Sequence, residues 1–79
     1  MLTPEEAKVL AYLRRRLQAS LAEVARSCFV GADLDWLRRV VAGLDWFGYV
    51  ILYAGPDGSP AAVQITDQGL EQARRLRRP

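Results

Sequence analysis

The sequence predicts a mainly α-helical domain with a small β-hairpin, an α+β fold in the order helix, helix, helix, strand, loop, strand, helix. Three observations predict it. Thr3, Ser20 and Asp33 each stand before an apolar stripe at helical spacing, as N-cap residues do, and in the first two cases a glutamate follows three residues later. Tyr49 to Ala54 is a run of β-branched and aromatic residues, the composition of a strand. Gly55-Pro56-Asp57-Gly58-Ser59-Pro60 is then dense in turn residues before apolar chain resumes at Ala61.

The first helix starts at the Thr3 cap, with Pro4 at its first position and Glu6 completing a capping box. Val9, Leu10, Leu13 and Leu17 form its expected buried face, and Arg14-Arg15-Arg16 crowd its last turns, where cations suit the helix dipole. Gln18-Ala19 reads as a short connection. Ser20 and Glu23 open the second helix, whose inward stripe is Leu21, Val24, Ala25 and Cys28. Phe29-Val30-Gly31-Ala32 breaks the pattern, and Asp33 caps a third helix with Leu34, Leu37, Val41 and Leu44 inward and Val40 and Phe47 alongside. Gly48 stops it. Helix, short turn, longer helix is the helix-turn-helix pattern, which usually lays its second helix in a DNA major groove. The strands 49–54 and 61–65 form a hairpin, and Thr66 caps a last helix facing inward through Leu70, Ala73 and Leu76. Arg77-Arg78-Pro79 is expected to be a frayed end.

Seventy-nine residues, half of them apolar, suit a single domain spanning 1–79. No apolar run is long enough to cross a bilayer, and one cysteine excludes an internal disulfide and fits a reducing cytoplasm. Catalysis finds little support. Histidine is absent, Cys28 falls on an inward stripe with nothing to activate it, and the acidic residues have no metal-ligand spacing. Gly55 and Gly58 punctuate a turn, with no lysine-bearing helix behind them to make a phosphate cradle. Neither an enzyme nor a cofactor is expected. The net charge of +2 pulls weakly toward nucleic acid. Residues 31–65 hold only Arg38 and Arg39 against Asp33, Asp35, Asp45 and Asp57, so the segment with the third helix is acidic on balance.

The element order resembles the winged helix-turn-helix superfamily over nearly the whole chain, with details similar to small bacterial regulators of the MarR and PadR kinds. Val40-Val41-Ala42-Gly43-Leu44-Asp45-Trp46-Phe47-Gly48-Tyr49-Val50 resembles their exit from the recognition helix. Ile65-Thr66-Asp67-Gln68-Gly69 resembles the "leucine-threonine-x-x-glycine" start of the helix after their wing. The resemblance implies a cytoplasmic transcriptional regulator that reads duplex DNA with its third helix and acts as a homodimer. Carried onto this sequence, the outward reading positions are Asp35, Trp36, Arg38 and Arg39, with Ala42 and Gly43 further along. Arg38 and Arg39 suit guanine or phosphate, whereas Asp35 can only accept from a base donor and also suits the helix start.

The wing departs from the DNA-binding pattern. It has no lysine or arginine from Gly55 to Gln64 and carries Asp57 at its tip. Backbone anchoring would then fall to Ser20, to Arg14, Arg15 and Arg16, and to Ser59 and Gln64, with Arg74, Arg75, Arg77 and Arg78 as a second basic cluster. Both faces of the strand from Tyr49 are apolar, so one is expected to meet the last helix or a second chain. A dimer would use the first or last helix or the face with Trp36 and Trp46. The alternative to DNA is a protein partner, with the chain serving as a winged-helix interaction module or as an accessory subunit that does not itself bind DNA.

Overall fold

The computed structural model describes residues 2–76. Helix α1 (Pro4–Arg16), strand β1 (Gln18–Ser20), helices α2 (Leu21–Cys28) and α3 (Leu34–Trp46), strands β2 (Val50–Ala54) and β3 (Pro60–Ile65) and helix α4 (Asp67–Leu76) follow in order. The caps act where the sequence places them. Thr3 Oγ1 accepts the Glu6 N–H at 3.1 Å while Glu6 Oε1 accepts the Thr3 N–H at 2.9 Å. Ser20 and Glu23 repeat the exchange at the same distances. The Asp33 carboxylate accepts the Asp35 N–H at 3.2 Å. Val9, Leu10 and Leu13 of α1 are fully buried among Leu21 and Val24 of α2, Leu37, Val41 and Leu44 of α3, Val50, Val63 and Ile65 of the sheet, and Ala73 of α4.

Two expectations change at the end of α1. Gln18–Ser20 is a strand, antiparallel to β3, so the sheet has three strands in the order β1-β3-β2. A three-residue strand has too little length to show a period, and its pairing is with residues more than forty positions away. Leu17, expected on the buried face, is 54% exposed. Its backbone turns left-handed, at φ 71°, which swings its side chain off the apolar stripe and frees its carbonyl to accept the Ile65 N–H at 2.9 Å. Leu34 and Leu76, at helix ends, are also partly exposed. On β2, Val50 and Leu52 face the core while Ile51 and Tyr53 are exposed, so the strand's second face does not pack on α4. The residues 77–79 expected to fray lie outside those described.

The two sequence motifs flanking the hairpin meet in space. Gly48 takes φ 82° to end α3, and its carbonyl accepts the Thr66 hydroxyl at 2.7 Å. Thr66 N–H donates to the Tyr49 carbonyl at 3.0 Å, and the Thr66 oxygen accepts the Gly69 N–H at 3.0 Å as the cap of α4. Gly69 is required because a Cβ there would collide with the Tyr49 carbonyl oxygen and crowd Ile65 Cγ1 at 2.7 Å. The hairpin is thus clasped at its base, which fixes the wing relative to α3.

Candidate nucleic-acid interface

Helix α3 buries Leu37, Val41 and Leu44, and its opposite stripe is Asp35, Arg39, Ala42 and Trp46, all exposed. These four recur at helical spacing and form one continuous outer face. Trp36 and Gly43, expected to point outward, belong to a different face. Trp36 is half-buried, edge-on to Phe29 with ring centroids 5.1 Å apart, and shares a shallow groove with Thr3, Glu5, Glu6 and Val40, which Arg39 also borders from the exposed side. A Cβ on Gly43 would run into the Glu6 carboxylate. One residue is 100° of helix, enough to carry positions 36, 40 and 43 under the start of α1.

Arg38 is the hinge of the site. Its Nε donates to the Pro60 carbonyl at 3.1 Å, at the start of β3, and its Nη1 reaches Asp35 Oδ1 at 2.7 Å. The side chain therefore ties the first turns of α3 to the base of the wing. The wing loop is closed on itself. Asp57 Oδ1 accepts both the hydroxyl and the N–H of Ser59, at 2.8 and 3.1 Å, and Gly55 N–H donates to the Ser59 carbonyl at 2.8 Å. Those Ser59 bonds, with a smaller pull from Arg38, hold the Asp57 carboxyl below its usual range.

Exposed cations beside α3 are few. Arg39 on the outer stripe and Arg26 on α2 have no carboxylate within ion-pair distance among the described residues. Arg26 borders a groove of about 490 Å³ between α2 and the start of α3, alongside Ala22, Val30 and Leu34. Sequence reasoning missed Arg26, although its offset of four from Ala22 places both on the outward face of α2.

The remaining predicted contacts are scattered over other surfaces. The Ser20 hydroxyl is committed to its cap. Arg16 approaches Glu23 at 3.7 Å and lies over the Tyr12 ring. The Ser20 N–H, more than Arg16 or Arg26, holds the Glu23 carboxyl below its usual range. Gln64 accepts the Tyr53 hydroxyl at 2.6 Å on the outer face of the sheet. Arg14 and Arg15 line a separate groove with Lys8, Tyr12 and Cys28. Burial pushes the Cys28 thiol up, away from the reactive thiolate. Arg74 and Arg75 pair with Glu71, while Arg77 and Arg78 lie outside the described residues. The structure therefore joins Asp35, Arg38 and the Ser59–Pro60 end of the wing, leaves Arg39 beside them, and separates the arginines of α1.

A helix-turn-helix whose second helix presents an open face beside a clasped hairpin defines a winged-helix domain. Solved structures share it. A transcriptional regulator homologue from Pyrococcus horikoshii OT3 matches at a TM-score of 0.77 and 24% identity, covering 94% of this chain and 73% of that one. BpsR of Bordetella bronchiseptica, whose DNA binding is regulated by 6-hydroxynicotinic acid, matches at 0.77 and 22%, covering 95% of this chain and 53% of that one. A MarR mutant from E. coli complexed with operator DNA matches at 0.71 and 25%, covering 95% and 55%. The chain thus spans about half the length of the last two. No family model and no curated protein matches the sequence. The fold is the MarR-like winged helix, and these structural neighbours are transcriptional regulators rather than enzymes. No helix among the described residues is long and apolar enough to cross a membrane.

Proposed function

We propose that this chain is a cytoplasmic, duplex-DNA-binding transcriptional regulator that presents the outer stripe of α3 to the major groove. The observation that carries this reading is that Asp35, Arg39, Ala42 and Trp46 form one exposed face of a 13-residue helix, opposite the buried Leu37, Val41 and Leu44, with the wing tied alongside through Arg38. Such a helix is about 20 Å long and fits a groove about 12 Å wide. Arg39 is the residue for a guanine edge or a phosphate, and Arg26 is placed for the backbone beside it. Trp36 acts by holding α3 against α1 and the α2–α3 turn. The wing has no cation, and its Ser59 hydroxyl and N–H are already donated to Asp57, so it meets the duplex as a closed, positioned loop. Action as a homodimer on a two-fold site follows from half-site logic, one α3 per half-site about 34 Å apart.

The test is fluorescence anisotropy with a labelled duplex over a range of salt. Binding is expected to weaken steeply with salt, and Arg26→Ala and Arg39→Ala are each expected to reduce the log–log slope by about one. Unchanged affinity in Arg39→Ala would remove α3 as the reading element. One observation favours a second reading, a protein-interaction module. Trp46 is 82% exposed, edge-on to Phe47 at 5.2 Å, and Phe47 stacks on Tyr49 at 5.4 Å. That reading expects no duplex binding near physiological salt and loss of self- or partner association in Trp46→Ala, measured by sedimentation velocity.

A further inference from the structure

We propose that Asp35 is an internal stand-in for a DNA phosphate: it holds the outer arm of the Arg38 guanidinium until the duplex backbone displaces it, while the inner arm keeps the wing on α3. This rests on the duplex-binding reading above and gives Arg38 a positioning role in place of a base-reading one. The guanidinium is a planar fork of five N–H donors, and two arms point to different partners. The inner arm, Nε, is committed to the Pro60 carbonyl at 3.1 Å in a part-buried setting. The outer arm, Nη1, meets Asp35 at 2.7 Å, and there the side chains are unequal: that of Arg38 is 30% exposed and that of Asp35 72%. The partner that can leave is the carboxylate.

The contact is a single Nη1–Oδ1 bond, and one phosphate oxygen can accept the same N–H while Nε stays on Pro60, so exchange requires no rearrangement of Arg38. The other carboxylates on this side are occupied elsewhere. Asp33 caps α3 through the Asp35 N–H, and Asp57 is held by Ser59. Among the described carboxylates, Asp35 alone is paired with the guanidinium. An exposed pair of this spacing is weak, so a phosphate in register can replace it, whereas one out of register leaves Arg38 closed and Asp35 repelling the strand. The pair therefore lowers affinity for every duplex and favours the docking pose that puts a phosphate at Nη1.

The experiment is a double-mutant cycle on duplex affinity, using anisotropy with wild type, Asp35→Asn, Arg38→Gln and the double variant, and with Asp33→Asn as a charge control that still caps the helix. Asp35→Asn is expected to tighten binding about three- to fivefold where Arg38 is present and to give no such gain with Arg38→Gln. Asp33→Asn is expected to change affinity by less than about twofold, as a screened charge would. Arg38→Gln is expected to lower the salt slope by about one, which a purely structural side chain would not do. Equal gains from Asp33→Asn and Asp35→Asn, or a gain that survives Arg38→Gln, would overturn the exchange and leave simple repulsion. If Arg38→Gln melts well below wild type, Arg38→Met, which keeps the apolar stem and carries no charge, replaces it in the cycle, run at a temperature where all four variants are folded. Absence of saturable duplex binding by wild type at low salt would overturn the function itself, and this inference with it.

Discussion

Two glycines in helices should respond very differently to the same substitution. Gly69→Ala puts a methyl against the Tyr49 carbonyl oxygen and 2.7 Å from Ile65 Cγ1, and backbone cannot yield as a side chain does. Overpacking of this kind costs about 1–3 kcal/mol. Moving α4 away also loosens the Thr66 bonds to Tyr49 and Gly48, worth about 1 kcal/mol each. Against this stands about 1 kcal/mol of helix propensity gained by alanine. The net is a loss of about 2–4 kcal/mol, a fall in Tm of roughly 10–30 °C for a domain of this size. Gly43→Ala meets only the Glu6 carboxylate, which can swing away at the cost of one capping-box bond. Its propensity gain offsets that loss, so the Tm is expected to stay within about 5 °C of wild type. Thermal unfolding followed by circular dichroism decides it. A Gly69→Ala variant melting with wild type would refute the clasp between α3's exit and α4.

Thr66→Val keeps the shape but removes the donor to Gly48 and the cap acceptor for Gly69. A loss of about 1–3 kcal/mol is expected in urea unfolding with an unchanged m-value. Leu17→Gly relieves a left-handed leucine whose side chain is more than half exposed, so Tm is expected to rise by a few degrees, about 0.5–1 kcal/mol after the extra chain entropy of glycine; a lower Tm would contradict it. The Glu23 carboxyl titrates lower in the folded chain than in the unfolded one, so its contribution to stability is complete above the usual carboxylate range. That contribution is lost as pH falls through and below the range. Glu23→Gln, which can still close the capping box, is expected to flatten the acid limb of a stability-versus-pH curve, and an unchanged limb would refute the assignment.

Local rules made most of the fold legible. The three caps, the glycine stop at Gly48 and the turn after Ala54 are each set by neighbours in the chain and form where their residues predict, except that β3 begins one residue early, at Pro60, which pairs with Ala54. What escaped depends on distant partners. β1 exists because β3 lies beside it, and Leu17 leaves the core because its carbonyl is drawn to Ile65. The site followed the same division. The Asp35–Arg38 spacing permits a pair on one helix face, but only the folded wing brings the Pro60 carbonyl to the same guanidinium. The buried stripe of α3 is the expected one, but Trp36, expected outward with Trp46, lies against Phe29 while Trp46 stays exposed, a distinction that needs the position of α1 and the α2–α3 turn.

The most direct test of duplex binding through α3 is a titration of the isotope-labelled protein with a short duplex at low salt, followed by backbone amide chemical shifts. Shifts are expected to concentrate at Arg26, at Asp35, Arg39 and Ala42, and at Gly55 to Ser59. Shifts confined to the groove of Lys8, Tyr12 and Arg15, or no shifts at any duplex concentration, would contradict it.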